Sequence, residues 1–116
     1  MKQISYFYSA ENESEINLEI WKMFMNQSED ERKIHLDFTG IVFDIQLGEV
    51  GKVDLPERVQ MLIDKNGMKA LPILVVNGAV YNYGEFSVID AVEELLDVGV
   101  SIQVGEDLRS KSRSGN

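Results

Sequence analysis

Two short apolar runs, Ile73 to Val76 and Ala79 to Tyr83, have only Asn77-Gly78 between them. A two-residue hairpin connection needs φ > 0 at its central positions, which Asn and Gly adopt at little steric expense, so the dipeptide specifies a tight antiparallel pair. No crossover helix fits into two residues. Upstream the chain does the opposite: Ile4 to Tyr8 and Ile41 to Leu47 read as strands joined by a long helix-bearing connection, as parallel pairing requires. A chain that carries both kinds of connection must build a mixed sheet, and the expected class is α/β.

Periodicity places the other elements. Ile4 to Tyr8 is β-rich and gives way to polar Ser9 to Ser14, a strand opening at its carboxyl end into a loop. Beyond Asn12 the period changes, with Ile16, Ile20 and Phe24 spaced by four and Trp21 and Met25 widening the apolar stripe of a first helix. Asn12 and Glu15 have capping-box spacing, and Ser14 is the alternative start. Ile41, Phe43, Ile45 and Leu47 alternate with Val42, Asp44 and Gln46, which describes a second strand with one face buried. Between these, Ser28 to Gly40 carries charge and the lone His35 and shows no assignable pattern. Asp54, Pro56 and Glu57 open a second helix whose buried face is Val59, Leu62 and Ile63 and which Gly67 ends. Ser87 and Asp90 start a third, with Val88, Ala91, Val92, Leu95 and Leu96 inward and Gly99 as the stop. Val100, Ile102 and Val104 have the spacing of a further short strand. One domain over residues 1–105 is expected, followed by a disordered tail over 106–116 that carries Arg109, Lys111 and Arg113 among serines.

Charge and cysteine usage exclude several functions. The formal net charge is −9, from 20 acidic against 11 basic residues, so phosphate backbones and anionic lipid are repelled at long range. Nucleic acid and membrane surfaces are poor partners for such a chain. No apolar run approaches the roughly 20 residues of a membrane helix, and Met1 to Tyr8 lacks the basic-then-apolar order of a leader, so a cytoplasmic protein is expected. The chain has no cysteine. Disulfides, thiolate nucleophiles and sulfur ligands are therefore all unavailable to it.

The order strand, helix, strand, helix, strand, hairpin, strand, helix, with Leu71-Pro72 opening the third strand, Asn77-Gly78 in the hairpin and Gly84 before the last helix, resembles the thioredoxin fold over residues 3–98. That resemblance implies a thioredoxin-like mixed four-stranded sheet of order 2-1-3-4 flanked by about three helices. It further implies a cis bond before Pro72 and a Leu71 backbone able to pair with an extended peptide. Within the superfamily, Gly67 to Leu96 looks most like the arsenical-resistance family of trans-acting repressors that also hand trivalent arsenic to an efflux ATPase. Gly67, Leu71-Pro72, Leu74, Gly78, Gly84 and Phe86 carry the likeness. The family's adjacent cysteines fall near Asn12 and Glu13 here, where there is no thiol, and soft trivalent arsenic is not held by carboxylates and amides in their place.

The loop Ser9 to Ser14 thus stands where a thioredoxin keeps its reactive pair, with Glu11, Glu13 and Glu15 around it. Its functional reading is a remodelled ligand cleft bounded by Asn12, Glu13, Ser14, Leu71 and Pro72; its plainer reading is a capped and solvated helix start. Tyr6, Tyr8, Tyr81 and Tyr83 recur at period two, either as cross-strand packing or as hydroxyls gathered on one face. His35 has no second ligand at metal-binding spacing and reads as a surface histidine. Trp21 reads as core or interface. No catalytic residue, metal or cofactor is expected. The leading function is a non-redox binding or regulatory protein, a cysteine-less relative in form of the arsenical repressors, acting on a protein partner, with a homodimer as one arrangement. The alternatives are a glutathione-binding or transferase-like domain using Tyr8 or Ser14 as thiol-directed donor, with Ser87 at the last helix start, and a dimeric repressor with weak DNA binding.

Overall fold

The computed structural model describes residues 1–99; the expected strand at Val100, Ile102 and Val104, the end of the 1–105 domain and the expected tail lie outside the described residues. The chain runs β1 (Lys2–Tyr8), α1 (Glu15–Met25), α2 (Glu29–Thr39), β2 (Phe43–Glu49), α3 (Glu57–Asn66), a 3-10 turn (Gly67–Ala70), β3 (Ile73–Val76), β4 (Ala79–Tyr83) and α4 (Val88–Leu96). The four strands form one mixed sheet of order β2-β1-β3-β4, with β1 and β3 central. β2 is parallel to β1, while β3 is antiparallel to both β1 and β4.

Each central strand sends alternate side chains to two cores. Ile4, Tyr6 and Leu74 join Ile20, Trp21 and Phe24 of α1 and Val88, Val92 and Leu95 of α4 on one face. Phe7, Ile73 and Val75 meet Val59 of α3 and Ala70 on the other. Two helix layers therefore enclose the sheet. Phe86, just before α4, stands edge-on to Tyr6 at 6.5 Å, and near the end of α4 the Leu95 carbonyl accepts from Lys2 Nζ at 2.8 Å.

The Asn77-Gly78 turn has the required geometry, with φ of 52° at Asn77 and 83° at Gly78. Asn77 also ties the hairpin to β1: its backbone N donates to Gln3 O and its Oδ1 accepts from Gln3 N, both at 2.8 Å. Asn77→Ala removes the side-chain acceptor and strains the left-handed backbone, and is expected to cost about 1–2 kcal/mol. Asn77→Gly should relieve the backbone part alone. Equal urea midpoints for wild type and Asn77→Ala would refute both contributions.

Several boundaries differ from expectation for local reasons. Asn12 is not the cap of α1. Its backbone N and that of Glu13 both donate to Ser9 O, at 3.1 and 2.9 Å, which closes a turn before the helix and leaves Ser14 Oγ to accept from Ile16 N at 3.2 Å. Pro56 stands at the start of α3 without any side-chain cap, so Asp54 does not serve there. α4 ends at Asp97, in the left-handed conformation with φ 55°, two residues before Gly99.

The unassigned stretch Ser28 to Gly40 is a fourth helix, α2, with a full Ser28 and Glu31 capping box and Gly40 at its end. Its apolar residues Ile34, Leu36 and Phe38 are exposed and only His35 is buried, so no inward stripe marks it. His35 is accordingly not a surface residue. It is 8% exposed, stands edge-on to Phe43 at 5.2 Å and has no hydrogen-bond partner at Nε2. Arg32 lies over the same Phe43 ring at 5.3 Å. Burial pushes the imidazole below its ordinary 6.5, against the opposing pull of the Asp97 carboxylate. The folded state therefore favours neutral His35, so its contribution to stability is complete above pH 6.5 and is lost as pH falls through the depressed folded value. The urea midpoint of wild type should drop more steeply from pH 7 toward pH 5, roughly the range in which imidazoles titrate, than that of His35→Leu. Parallel profiles would show that His35 is not protonated against a burial penalty.

Candidate functional site

The carboxyl end of β1 is where the expected cleft residues gather. The β1 to β3 register pairs Phe7 with Ile73, which sets Pro72 and Leu71 just beyond, level with Tyr8 and the start of the Ser9 turn. The Leu71-Pro72 bond is cis. Gly84 N donates to both Ala70 O at 2.7 Å and Pro72 O at 3.0 Å, so the chain before β3 is clasped on either side of Leu71 while the Leu71 carbonyl stays outside the clasp. A side chain at Gly84 would sit 3.4 Å from Lys69 O on a backbone with φ of 78°, which is why the clasp is made by glycine.

On the other side of this end, Glu13 does not face outward with Asn12 and Ser14. Its Oε1 accepts a short hydrogen bond from Tyr6 Oη and a second, at 3.2 Å, from Asn17 Nδ2 one helical turn on. Tyr6 is wholly buried, between Tyr8 at 6.2 Å, Trp21 at 5.3 Å and Phe86 at 6.5 Å, centroid to centroid. Burial, and then the neighbouring Glu13 carboxylate, drive the phenol well above its ordinary value of 10. Tyr6 is thus held protonated as a donor and is no nucleophile at neutral pH. Trp21 Nε1, in the same layer, is buried with no hydrogen-bond partner.

Of the five cleft residues, then, Leu71 and Pro72 lie half-buried at the sheet end, Asn12 is exposed in the turn, Ser14 caps α1, and Glu13 is turned into a pair with Tyr6. Asn17 is the residue that sequence reasoning missed, and Tyr6, read there as one of four alternating tyrosines, was not placed with the cleft. The i, i+4 spacing of Glu13 and Asn17 was a readable signal; the contact with Tyr6 depends on how α1 docks. The four tyrosines do not share one face. The β3 to β4 register shifts between Leu74 and Val75, which leaves Tyr81 as an extra residue, so Tyr81 reaches Glu94 of α4 while Val80 and Tyr83 flank α3. His35 sits by Phe43, at the far end of the sheet. Among the described residues no cluster of three or more His, Asp or Glu is disposed to hold a metal ion.

Fold and site together define an α/β protein whose helix-start loop, beside a cis-proline clasp, carries a carboxylate held by a buried phenol. No protein-family model matches the chain, and no curated protein matches it. Among the described residues no helix is long and apolar enough to cross a membrane.

Proposed function

We propose that this is a thiol-free thioredoxin-like domain, of the arsenical-repressor type in form, that acts by binding a protein partner at the end of the sheet bounded by Asn12, Ser14, Leu71 and Pro72. The observation that carries this reading is the Glu13 carboxylate. At the place where the resemblance calls for a reactive sulfur stands a carboxylate whose Oε1 accepts from Tyr6 and Asn17, which ties the loop before α1 to β1 and to the first turn of α1. The Leu71 carbonyl, left outside the Gly84 clasp at the same end of the sheet, supplies an acceptor for an extended chain. The sequence resemblance supports the reading further, as does the absence of cysteine.

Two measurements test it. Calorimetry with arsenite at micromolar concentration should give no saturable heat, because soft thiolates are missing; a single-site isotherm would sink the claim. The cysteine-free chain also allows clean site-directed crosslinking. Ser14→Cys carrying a benzophenone maleimide is expected to give discrete protein adducts in lysate of the source cells, whereas Lys22→Cys, on the exposed side of α1, should not. Equal yields from the two positions would mean that the cleft is not the contact surface.

A further inference from the structure

The second edge of the sheet carries a feature that the cleft does not use. β4 is an edge strand of five uncharged residues, Ala79 to Tyr83, without lysine or proline, and all but Val80 are exposed. The opposite edge strand, β2, carries Asp44 and Glu49. Edge strands are ordinarily protected by charge, proline or cover, because their free N–H and C=O groups template pairing with another chain. Here the edge has a bulge at Tyr81, and Tyr83 N donates to Asn82 Oδ1 at 2.9 Å, but among the described residues it has neither charge nor proline. It runs beside a groove of about 780 Å³ between β4 and α3, floored by Met61, Leu62, Val80 and Tyr83. Met61 is 60% exposed and Tyr83 47%.

The groove's charge selects its occupant. Arg58 and Lys65 line it, and neither is in an ion pair among the described residues. Its one carboxylate, Asp64, already accepts from Gln60 Nε2 at 2.9 Å on its own helix. Its two cations outnumber that carboxylate, so in a chain of net charge −9 this wall is locally net positive. A second copy fits poorly. Pairing β4 with β4 about a twofold axis would set the two α3 helices side by side, with Arg58 and Lys65 against the same cations.

We propose that β4 and the α3 groove bind an extended, acidic segment of a partner protein by strand addition, with alternate apolar side chains seated on Met61 and Tyr83 and flanking carboxylates on Arg58 and Lys65. Strand pairing supplies the backbone hydrogen bonds, the groove reads alternate side chains, and the cations set direction and register. This surface lies on the α3 face and is independent of the Glu13 end.

The probe is a fluorescein-labelled synthetic peptide that alternates valine and threonine with glutamates at both ends. Anisotropy should report saturable binding, with amide shifts in Ala79 to Tyr83 by NMR. The double variant Arg58→Glu, Lys65→Glu, both positions exposed, and a peptide with lysines in place of the glutamates should each weaken binding at least about tenfold. Methylating alternate backbone nitrogens of the peptide should abolish it. Each of four results would overturn the proposal: no saturable binding, equal affinity for the lysine peptide, full affinity of the methylated peptide, or shifts confined to Leu71 and the Ser9 to Ser14 turn. A dimer in sedimentation that occupies β4 would do the same in favour of a second copy. The Ser14 crosslink is read separately, so either site can fail alone.

Discussion

Trp21→Ala is expected to destabilise the protein by about 3–5 kcal/mol, as large-to-small changes at fully buried aromatic sites do. Trp21 is entirely buried and stands against Tyr6 in the layer between β1, α1 and α4. Removing its ring opens a void beneath the Tyr6 and Glu13 pair that neighbouring helices can only partly close. Against the 5–15 kcal/mol that usually separates folded from unfolded domains, this is a large fraction. Trp21→Phe should cost much less, since it keeps an aromatic ring in the layer and deletes an N–H that is buried without a partner. Urea unfolding followed by far-ultraviolet circular dichroism is the measurement, because Trp21 is the only tryptophan. A loss below about 1 kcal/mol for Trp21→Ala would mean that the layer is not packed around this ring.

Gly48→Ala should cost about 1–3 kcal/mol by overpacking. Gly48 pairs with Phe7 in the β1 to β2 register, and a Cβ there would lie 2.8 Å from Phe7 Cδ1, 2.9 Å from Phe7 Cε1 and 3.1 Å from Val53 Cγ2. Phe7 cannot swing away freely, since it is buried in the core that Val59, Ala70, Ile73 and Val75 complete. The cause is therefore steric and should be specific to that ring. In the background of Phe7→Leu, adding Gly48→Ala should cost measurably less than it does in wild type, a coupling of the kind contacting residues show. Strict additivity of the two changes would place the strain elsewhere.

These two sites differ in how far they were legible. Trp21 belongs to an apolar stripe at spacing four, so its inward direction follows from helical period alone, although core and interface could not be told apart. Gly48 carries no pattern. It is small because Phe7, 41 residues earlier, occupies the space above it, and nothing local records that neighbour. The same division runs through the candidate site. Asn12 and Ser14 are both plausible caps by type, and the choice fell to Ser14 once the turn bonds to Ser9 O used the backbone around Asn12. Glu13 reads as one more solvated carboxylate until α1 docks and brings it to Tyr6.

What the sequence determined by itself is local and chemical. Asn77-Gly78 imposes the hairpin because only certain residues accept positive φ at little cost, and among the described residues the apolar periods place the strands and α1, α3 and α4, since period reflects which face is buried. The lack of cysteine removes thiol chemistry whatever the fold. Only the tertiary structure decided that α2 forms with little buried apolar surface, that His35 lies under Phe43, that one extra residue in β4 turns Tyr81 and Tyr83 to opposite faces, and that Glu13 closes on Tyr6. Those features depend on contacts between segments far apart in the chain, whose energies arise only when two elements meet, and no window of neighbouring residues contains both partners.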